Sequence, residues 1–396
     1  MTLQKRTSRR CPIVLSISLC FSFGCFCFAV VIHQYSPSSI CIPLPINEQR
    51  VDDQENWKYQ NSITGEWFIW NSSNQQHQWT VKWLNSHPTS SLGVIVYLTA
   101  RYEIGSLNQS LVQLSRLLTN NPRPVVIFHE GDLTDDDLQQ SFARTIGPRF
   151  PLAFERIQFG SRVQTISKVA TLGYLHMCRF FTLMLPNHPL LTLFTFYWRM
   201  DAHSFIFAPN PIRDPFEIMQ NRHSQLAYVM ANEDDIRYVA DLWSFFQQFL
   251  RDHCLKPSKA VRQTQTTLFG GYSFAIIFTN FAIANVSIFR DHPMIRTWLK
   301  SVDRNGGIYR HRWGDAPLHT LAMAQFLTRD DIVRFRYFGY MHRQEYVCAH
   351  GTRDKQCQEQ AQPFRTDPSV EYRNYDDGCF PSTRNPLCHY YPEIRL

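Results

Sequence analysis

Short apolar segments alternate with segments of helical spacing along the middle of the chain. Leu92–Leu98 and Pro124–His129 are apolar runs rich in β-branched residues, which predicts two buried strands. Between them, leucines recur at helical spacing from Ser110 to Leu118, and the acidic residues after Thr134 are typical of the first turn of a helix. Strands that alternate with helices predict an α/β domain with a mostly parallel central sheet.

The same alternation continues to about residue 345, so we expect one domain over residues 90–345. Further predicted helices lie near Val169–Leu185, from Asp214, over Arg237–Arg251, over His292–Val302 and after Asp315. Further predicted strands lie near Leu193–Met200, Gln225–Met230, Tyr272–Ile277 and Ala284–Phe289.

A long apolar run from Pro12 to Ile32 precedes this domain. At about 1.5 Å per residue, a helix of this length spans roughly 30 Å, the thickness of the hydrocarbon layer of a membrane. Basic residues lie before the run, which predicts a cytosolic tail at residues 1–11, a transmembrane signal anchor at 12–33 and a lumenal body. A cleaved signal peptide is the alternative, but its apolar core is usually shorter and ends in a small-x-small site.

Two segments flank the domain on the lumenal side. Residues 34–89 are rich in Ser, Pro, Asn and Gln with interspersed Trp, and we interpret them as a stem whose last part packs on the domain. Residues 346–396 form a Cys-rich C-terminal extension with Cys348, Cys357, Cys379 and Cys388, which predicts disulfides in an oxidising compartment. Zinc is the alternative, but these cysteines lack C-x2-C spacing. Their pairing stays open, and the odd lumenal count leaves at least one thiol free or intermolecular.

Composition and charge exclude several classes of protein. A chain with 44% hydrophobic and 14% aromatic residues is too apolar to be disordered. The net charge is +7, but Lys5, Arg6, Arg9 and Arg10 supply four of the seven units, next to the predicted anchor. The predicted lumenal part is therefore only weakly basic, and we expect no nucleic-acid partner.

Candidate chemistry begins where the predicted strand Leu193–Met200 ends. Asp201-Ala202-His203 follows directly, and ligands of open α/β sheets bind beyond the carboxyl ends of strands. This position suits a D-x-D-type metal site that holds a nucleotide diphosphate. His203 in place of a second carboxylate favours Mn²⁺ over Mg²⁺, because imidazole suits transition metals better. A solvated turn at the end of a strand is the alternative.

Two later segments carry further candidates. The loop around Arg312-Trp-Gly-Asp-Ala-Pro317 has two preceding glycines and an acidic Asp315, and we expect Trp313 to be exposed there. The simple alternative for Asp315 is an N-terminal helix cap, and for Trp313 it is packing in the core. His342, in Tyr340-Met-His342, is either a ligand or a structural histidine.

Five motifs together resemble glycosyltransferase family 15, the α-1,2-mannosyltransferases best known from fungi. They occur in the order and spacing of that family and are Gly173-Tyr-Leu-His-Met-Cys-Arg-Phe-Phe181, Tyr197-Trp-Arg199, Asn280-Phe281-x-Ile283, Arg312-Trp-Gly-Asp-Ala-Pro317 and Gly339-Tyr-x-His342. The resemblance extends from about residue 90 to residue 348. It does not include the stem or most of the C-terminal extension.

The resemblance implies a GT-A-like fold and transfer of mannose, with retention, from GDP-mannose to a mannose-containing glycan. It also implies Mn²⁺ as the cofactor and a Golgi membrane as the location, with the anchor making a single-pass type II protein. The implied metal ligands are Asp201 and His342, with His203 beside them. The implied donor-pocket tyrosine is Tyr174, and the implied acidic residue of the later loop is Asp315. We further expect a donor side with Tyr174, Arg179, Arg199 and Asp201 and an acceptor side with Trp313 and Asp315; Tyr174 and Asp315 are the candidate catalytic residues.

One departure from the family pattern bears directly on activity. Family members usually have Glu in Asn-Phe-Glu-Ile, beside the reacting carbon, and this chain has Ala282 there. A retaining transfer without a covalent intermediate tolerates alanine, whereas an obligatory covalent intermediate does not. Two alternatives therefore stay open: a catalytically silent glycan-binding or regulatory protein on the same fold, and a transferase that uses another nucleotide sugar.

Overall fold

The structure is a computed structural model, and it describes residues 92–159, 167–207, 212–365, 369–375, 379 and 385–395, together with three short strands at 58–60, 67–69 and 82–83. These residues all belong to one compact unit that runs from Ile40 to Leu396. The predicted cytosolic tail and signal anchor, at 1–11 and 12–33, lie outside the described residues. Within the described part, no helix combines the length and the apolar character that crossing a bilayer requires.

Seventeen strands are described. They are β1 (Lys58–Gln60), β2 (Trp67–Ile69), β3 (Lys82–Trp83), β4 (Gly93–Leu98), β5 (Val125–His129), β6 (Leu152–Arg156), β7 (Phe196–Met200), β8 (Ser204–Phe207), β9 (Leu226–Tyr228), β10 (Ala231–Glu233), β11 (Ala275–Ile277), β12 (Phe281–Asn285), β13 (Ile332–Phe335), β14 (Gly339–His342), β15 (Glu345–Val347), β16 (Arg373–Asn374) and β17 (Glu393–Ile394).

The α-helices lie mainly between the strands. They are α1 (Ile104–Leu117), α2 (Asp136–Ile146), α3 (Leu172–Arg179), α4 (Leu185–Asn187), α5 (Pro215–Asn221), α6 (Leu242–Asp252), α7 (Val286–Arg290), α8 (Pro293–Asn305), α9 (Gly307–His311), α10 (Asp315–Phe326), α11 (Asp354–Ala361) and α12 (Leu387–Tyr390). A π-helical stretch, Phe180–Met184, joins α3 to α4, so that the helix predicted near Val169–Leu185 is nearly continuous.

A nine-stranded sheet forms the centre, in the order β17-β13-β9-β12-β7-β4-β5-β6-β3. Neighbouring strands pair in parallel except at β12, which is antiparallel to both β7 and β9, and at the edge strand β3. The prediction of an α/β domain with a mostly parallel central sheet is therefore confirmed. Because β12 runs against its neighbours, its first residues lie at the same edge as the carboxyl ends of β7 and β9.

Alternate residues of the strands pack into separate cores on the two faces of the sheet. On β4, Val94 and Val96 face a core shared with α3, α8 and α10, whereas Ile95 and Tyr97 face a core shared with α1 and α2. Both faces of the sheet are thus covered by helices, which explains why the central strands are continuous apolar runs in the sequence.

One predicted strand was wrong in its position. Ala284–Phe289 was expected to be extended, but β12 ends at Asn285 and α7 begins at Val286. The Asn285 side chain accepts a hydrogen bond from the backbone N–H of Ser287, at 3.0 Å, and so caps the new helix. This helix cap outweighs the preference of the β-branched residues in the segment for an extended strand.

The C-terminal extension packs onto the domain and is joined by disulfides. Cys348 bonds to Cys357 and Cys379 bonds to Cys388, which confirms disulfides rather than zinc for these four cysteines. Its strand β16 belongs to a second sheet with the order β16-β15-β14-β8, and β17 pairs in parallel with β13. Among the described cysteines the free thiol is Cys178, which is buried.

Candidate functional site

Polar side chains converge at one edge of the central sheet. Asp201 follows the end of β7, and Thr279 lies just before the start of β12 at the same edge. Asp315 is the first residue of α10, which packs on that face of the sheet. Because the carboxyl ends of strands are where open α/β sheets bind ligands, this edge is the candidate functional site.

Arg199 links the carboxylates of this edge. Its Nε donates to Asp201 Oδ1 at 3.1 Å, and its Nη1 donates to Asp315 Oδ2. The guanidinium carbon lies 3.6 Å from the centroid of the Phe181 ring. With a side chain only 5% exposed, Arg199 is buried beneath the site and positions the two carboxylates. The predicted donor-side role of Arg199 is therefore an indirect one.

Asp315 is held as an anion by its neighbours. Burial alone would raise its pKa, but Arg199, His319 and the hydroxyl of Thr279 outweigh burial and lower the pKa below its ordinary value. Thr279 Oγ1 donates to Asp315 Oδ2 at 2.6 Å. Gly314 occupies the cap position of α10, and the Asp315 side chain makes no capping bond, so the simple capping alternative is wrong.

Tyr174 lies against the same cluster. Burial raises the pKa of its phenol well above the ordinary value, and the nearby Cys178 and Asp315 raise it further. The Arg312 guanidinium lies over the Tyr174 ring, 4.5 Å from its centroid. The structure thus brings Tyr174, Arg199, Asp201 and Asp315 together, and the Tyr174 phenol remains protonated at neutral pH.

Of the three predicted metal ligands, Asp201 and His203 lie in the turn between β7 and β8, and His342 is the last residue of β14, which pairs with β8. His342 pairs with Ser204 in the antiparallel register, and its Nδ1 lies 3.2 Å from Ser204 Oγ. Burial lowers the pKa of His342 to about 4, although Asp201 acts to raise it, so the imidazole is neutral at physiological pH. His203 Nε2 lies 3.7 Å from Glu103 Oε1, at the end of the short helical turn after β4.

The donor types of these residues suit a divalent ion whose coordination would be completed by a bound substrate. A neutral imidazole and a carboxylate are donors that Mn²⁺ accepts, and Ser204 fixes the ring of His342. Within the described residues, no three His, Cys, Asp or Glu side chains are close enough to form a complete metal site. The metal role of Asp201, His203 and His342 therefore stays a prediction.

Arg179 is engaged elsewhere. Its Nε and Nη2 donate to the two carboxylate oxygens of Asp303, at 2.8 Å and 3.0 Å, and so tie α3 to α8. This bidentate pair fixes the position of the guanidinium without a ligand. The structure does not bring Arg179 into the cluster around Arg199, and its predicted contact with the donor has no support from its position.

Trp313 is buried, contrary to the expected exposure. Only 1% of it is accessible, and its indole N–H donates to the Ala240 carbonyl at 2.7 Å. Its ring packs 5.4 Å from that of Phe245 and directly against Gly307. Core packing is therefore the role that the structure gives Trp313, and the predicted stacking of an acceptor sugar on its face was wrong.

Gly307→Ala is expected to lower the free energy of unfolding by about 1–3 kcal/mol, because the new methyl group overpacks this contact. A Cβ at position 307 would lie 2.1 Å from Cε3 of Trp313. Gly105→Ala is the matched control, because a Cβ there meets no atom within 4 Å. Urea unfolding of both variants tests the packing, and equal stability of the two would contradict it.

Several residues of the site were not anticipated from the sequence. Thr279 and Arg312 lie inside or beside motifs that were recognised, but their contacts with Asp315 and Tyr174 depend on the fold. Glu103 and Asp234 follow predicted strands, and that position was the available signal for both.

Comparison with known proteins decides the family. The model of the glycolipid 2-alpha-mannosyltransferase family matches residues 156–379, which is more than half of the chain. The chain belongs to this family.

Two relatives show how far the similarity extends. The chain is 31% identical over 170 residues to the probable mannosyltransferase MNT3 of Candida albicans, and the matched part covers 43% of this chain and 44% of the relative. It is 30% identical over 172 residues to the O-glycoside alpha-1,2-mannosyltransferase omh1 of Schizosaccharomyces pombe, with the same two coverages. The matched part thus spans less than half the length of these relatives.

The fold is also shared with a solved structure, the Mn/GDP form of core-mannan synthase A (CmsA/Ktr4) from Aspergillus fumigatus. The TM-score is 0.60 at 22% identity, over 66% of this chain and 77% of that one. At this level of identity the likeness concerns the fold, and it confirms the expected glycosyltransferase architecture.

The position where the family motif usually has glutamate lies next to Arg199. Ala282 pairs with Arg199 on β7 and with Tyr228 on β9, and it is buried. In this mannosyltransferase family member, the face of β12 beside the Arg199 guanidinium therefore carries a methyl group in place of a carboxylate.

Proposed function

We propose that this protein transfers mannose from GDP-mannose, with retention, to a hydroxyl of a mannose-containing glycan. The observation that carries the proposal is the buried Arg199, which holds Asp201 and Asp315 at the edge of the sheet where a nucleotide sugar would bind. Family membership supports mannose as the sugar, and several relatives are named as α-1,2-mannosyltransferases.

Asp201, His342 and His203 would hold Mn²⁺ together with the diphosphate. When bound, the ion supplies positive charge that stabilises the GDP leaving group. The residues of the chain have separate tasks. Arg199 fixes the direction of both carboxylates, the protonated Tyr174 can donate a hydrogen bond to the donor, and the ionised Asp315 can accept one from a sugar hydroxyl.

The absence of a carboxylate at Ala282 favours a second candidate function. A protein without the usual family glutamate could bind glycans or regulate a partner without catalysing transfer. Transfer remains chemically consistent with Ala282 if the incoming hydroxyl attacks on the face from which GDP departs, since no enzyme nucleophile is then needed. A different nucleotide sugar as donor is a third candidate, for which the same site would serve.

A panel of donors and acceptors separates these candidates. The full-length protein in detergent would be incubated with GDP-mannose, GDP-fucose, UDP-glucose or UDP-galactose and an α-mannoside, with Mn²⁺ or with a chelator. We expect hexose transfer with GDP-mannose that depends on Mn²⁺. Glycan binding without transfer from any donor would support the silent protein, and a preference for another donor would support the third candidate.

We also propose that the protein is a single-pass type II protein of the Golgi membrane. Support comes from the apolar run Pro12–Ile32 and the basic residues before it. Two disulfides in the C-terminal extension suit an oxidising lumen. Protease protection of the C-terminus in intact microsomes, together with co-localisation with Golgi markers, tests this location.

A further inference from the structure

Asp234 is a half-buried carboxylate beside the β10–β11 hairpin, which forms a two-stranded sheet of its own. It follows β10, and its backbone N–H donates to the Phe274 carbonyl at 2.8 Å, which continues the pairing of β10 with β11. Its Oδ1 accepts from the backbone N–H of Asp235 at 2.9 Å. The backbone of the hairpin therefore fixes where this carboxylate lies.

The segment that begins with Asp234 packs against the candidate site. Arg312 and Asp315 both act electrostatically on its carboxylate. Arg312 lies between two aromatic rings, 3.5 Å from the centroid of Tyr238 and 4.5 Å from that of Tyr174. Arg312 thus connects the segment that carries Asp234 and Tyr238 with Tyr174 of the candidate site.

Asp234 differs from the other carboxylates of this cluster in its partners. Asp201 and Asp315 are both paired with Arg199, and the neighbouring Asp235 is paired with Arg237. Asp234 forms no ion pair with any basic residue in the described part of the chain. Burial raises its pKa to about 6, which is suitable for a base that works near neutral pH.

We propose that Asp234 is the general base of the transfer, the carboxylate that accepts the proton of the acceptor hydroxyl. The inference rests on the proposed function. In the step, the acceptor oxygen forms a bond to the anomeric carbon of mannose, and the bond from that carbon to the phosphate oxygen breaks. The bonding electrons leave with GDP, and the hydroxyl proton passes to the Asp234 carboxylate.

This assignment accounts for activity without a carboxylate at Ala282. The base reaches the site from the β10–β11 hairpin instead of from β12. Arg199 lowers the pKa of Asp315, which makes Asp315 a weaker base than a carboxylate without a paired cation.

The pH dependence follows from the groups around Asp234. Burial has the largest effect and raises the pKa of Asp234, and the charges of Asp235 and Asp315 raise it further. The backbone N–H of Asp235 and the charge of Arg312, from the loop before α10, lower it. Tyr272, from the segment before β11, stays neutral. A base acts only in its ionised form, so kcat/KM should rise with pH through about 6 and then level off.

Asp234→Asn tests the proposal, with Asp235→Asn as the matched control at the next position. We expect Asp234→Asn to lower kcat by about 100-fold to 10,000-fold and to remove the rise near neutral pH. Asp235→Asn should keep the rate of the wild type, because the Asp235 carboxylate is bonded to Arg237. Its rise in kcat/KM should move only slightly, to lower pH, because Asp235 raises the pKa of Asp234. Binding of GDP with Mn²⁺ should be unchanged in both variants.

Thermal melting distinguishes a catalytic role from a structural one. The pKa of Asp234 is higher in the folded protein than in the unfolded chain, so its charge disfavours folding at neutral pH, and this penalty disappears as the pH falls towards about 4. Asp234→Asn should therefore melt at or above the temperature of the wild type at neutral pH. A structural role would instead lower the melting temperature and GDP binding together.

Two failures can be told apart. If the wild type transfers mannose and Asp234→Asn does so at a similar rate with the same pH profile, the assignment of the base is wrong and the proposed function stands. If the wild type transfers no sugar from any donor although it binds GDP, the proposed function fails and the assignment fails with it. Parallel loss of folding and GDP binding in Asp234→Asn would also overturn the assignment.

Discussion

Arg199→Met is expected to lower the free energy of unfolding by about 3–5 kcal/mol, because it leaves buried carboxylates without their cation. Asp315 is the carboxylate most affected, since the Thr279 hydroxyl and His319 remain beside it but neither replaces the charge of Arg199. Transfer should fall by at least about 100-fold even where the variant is fully folded, because Asp201 and Asp315 lose their common anchor.

The pH dependence of stability provides a second readout for Arg199→Met. In the wild type the pKa of Asp315 is lower when folded than when unfolded, with Arg199 as the main cause opposing burial. The resulting stabilisation is present above the unfolded pKa of about 4 and is lost as the pH falls through the folded value. The variant should lack this loss at acid pH, which urea unfolding at several pH values would measure.

Arg123→Met is the matched control for the arginine. Arg123 is also buried, and its Nε donates to Asp214 Oδ2 at 2.8 Å, but this pair caps α5 and lies outside the candidate site. Arg123→Met should destabilise the protein to a similar degree as Arg199→Met and leave the rate of mannose transfer by the folded fraction unchanged. Equal activity of the two variants would contradict the positioning role of Arg199.

Asp201→Asn is expected to abolish the Mn²⁺-dependent part of GDP binding. The amide keeps the size of the side chain and an oxygen that can accept from Arg199 Nε, so the fold should change little. It removes the negative charge that a divalent ion requires in a site with few protein ligands. Titration calorimetry with GDP, with and without Mn²⁺, measures the effect.

The control for Asp201→Asn is Asp303→Asn. Asp303 is paired with an arginine in the same way, through Arg179, but on the helix α8. GDP binding by Asp303→Asn should keep its dependence on Mn²⁺. Unchanged metal-dependent binding in Asp201→Asn would show that the ion is held by other groups.

Strands with strong local signals could be predicted from the sequence. β4 and β5 are continuous runs of apolar residues, and both were found within a residue or two of their expected bounds. The helix α8 was also expected, since its apolar residues repeat at helical spacing. β8 and β14 were not anticipated as a sheet, because their pairing joins segments far apart in the chain.

In the site, too, features set by neighbouring residues could be predicted, whereas contacts between residues far apart in the chain could not. Asp201 was identified because it follows a strand, and that position is visible in the sequence. The joint contact of Arg199 with Asp201 and Asp315 was not visible, because Asp315 lies 116 residues from Arg199. Trp313 illustrates the opposite error, since a tryptophan between polar residues in a glycine-rich loop is buried against Ala240 and Phe245.

Transfer of mannose by the wild-type protein is the most direct test of the account. Full-length protein, GDP-mannose carrying ¹³C at the anomeric carbon and an α-mannoside would be followed by NMR, with Mn²⁺ and with a chelator. The account predicts a new α-linked anomeric signal that appears with Mn²⁺ and not with the chelator. Glycan and GDP binding without any new linkage would contradict it and would favour the silent protein that Ala282 suggests.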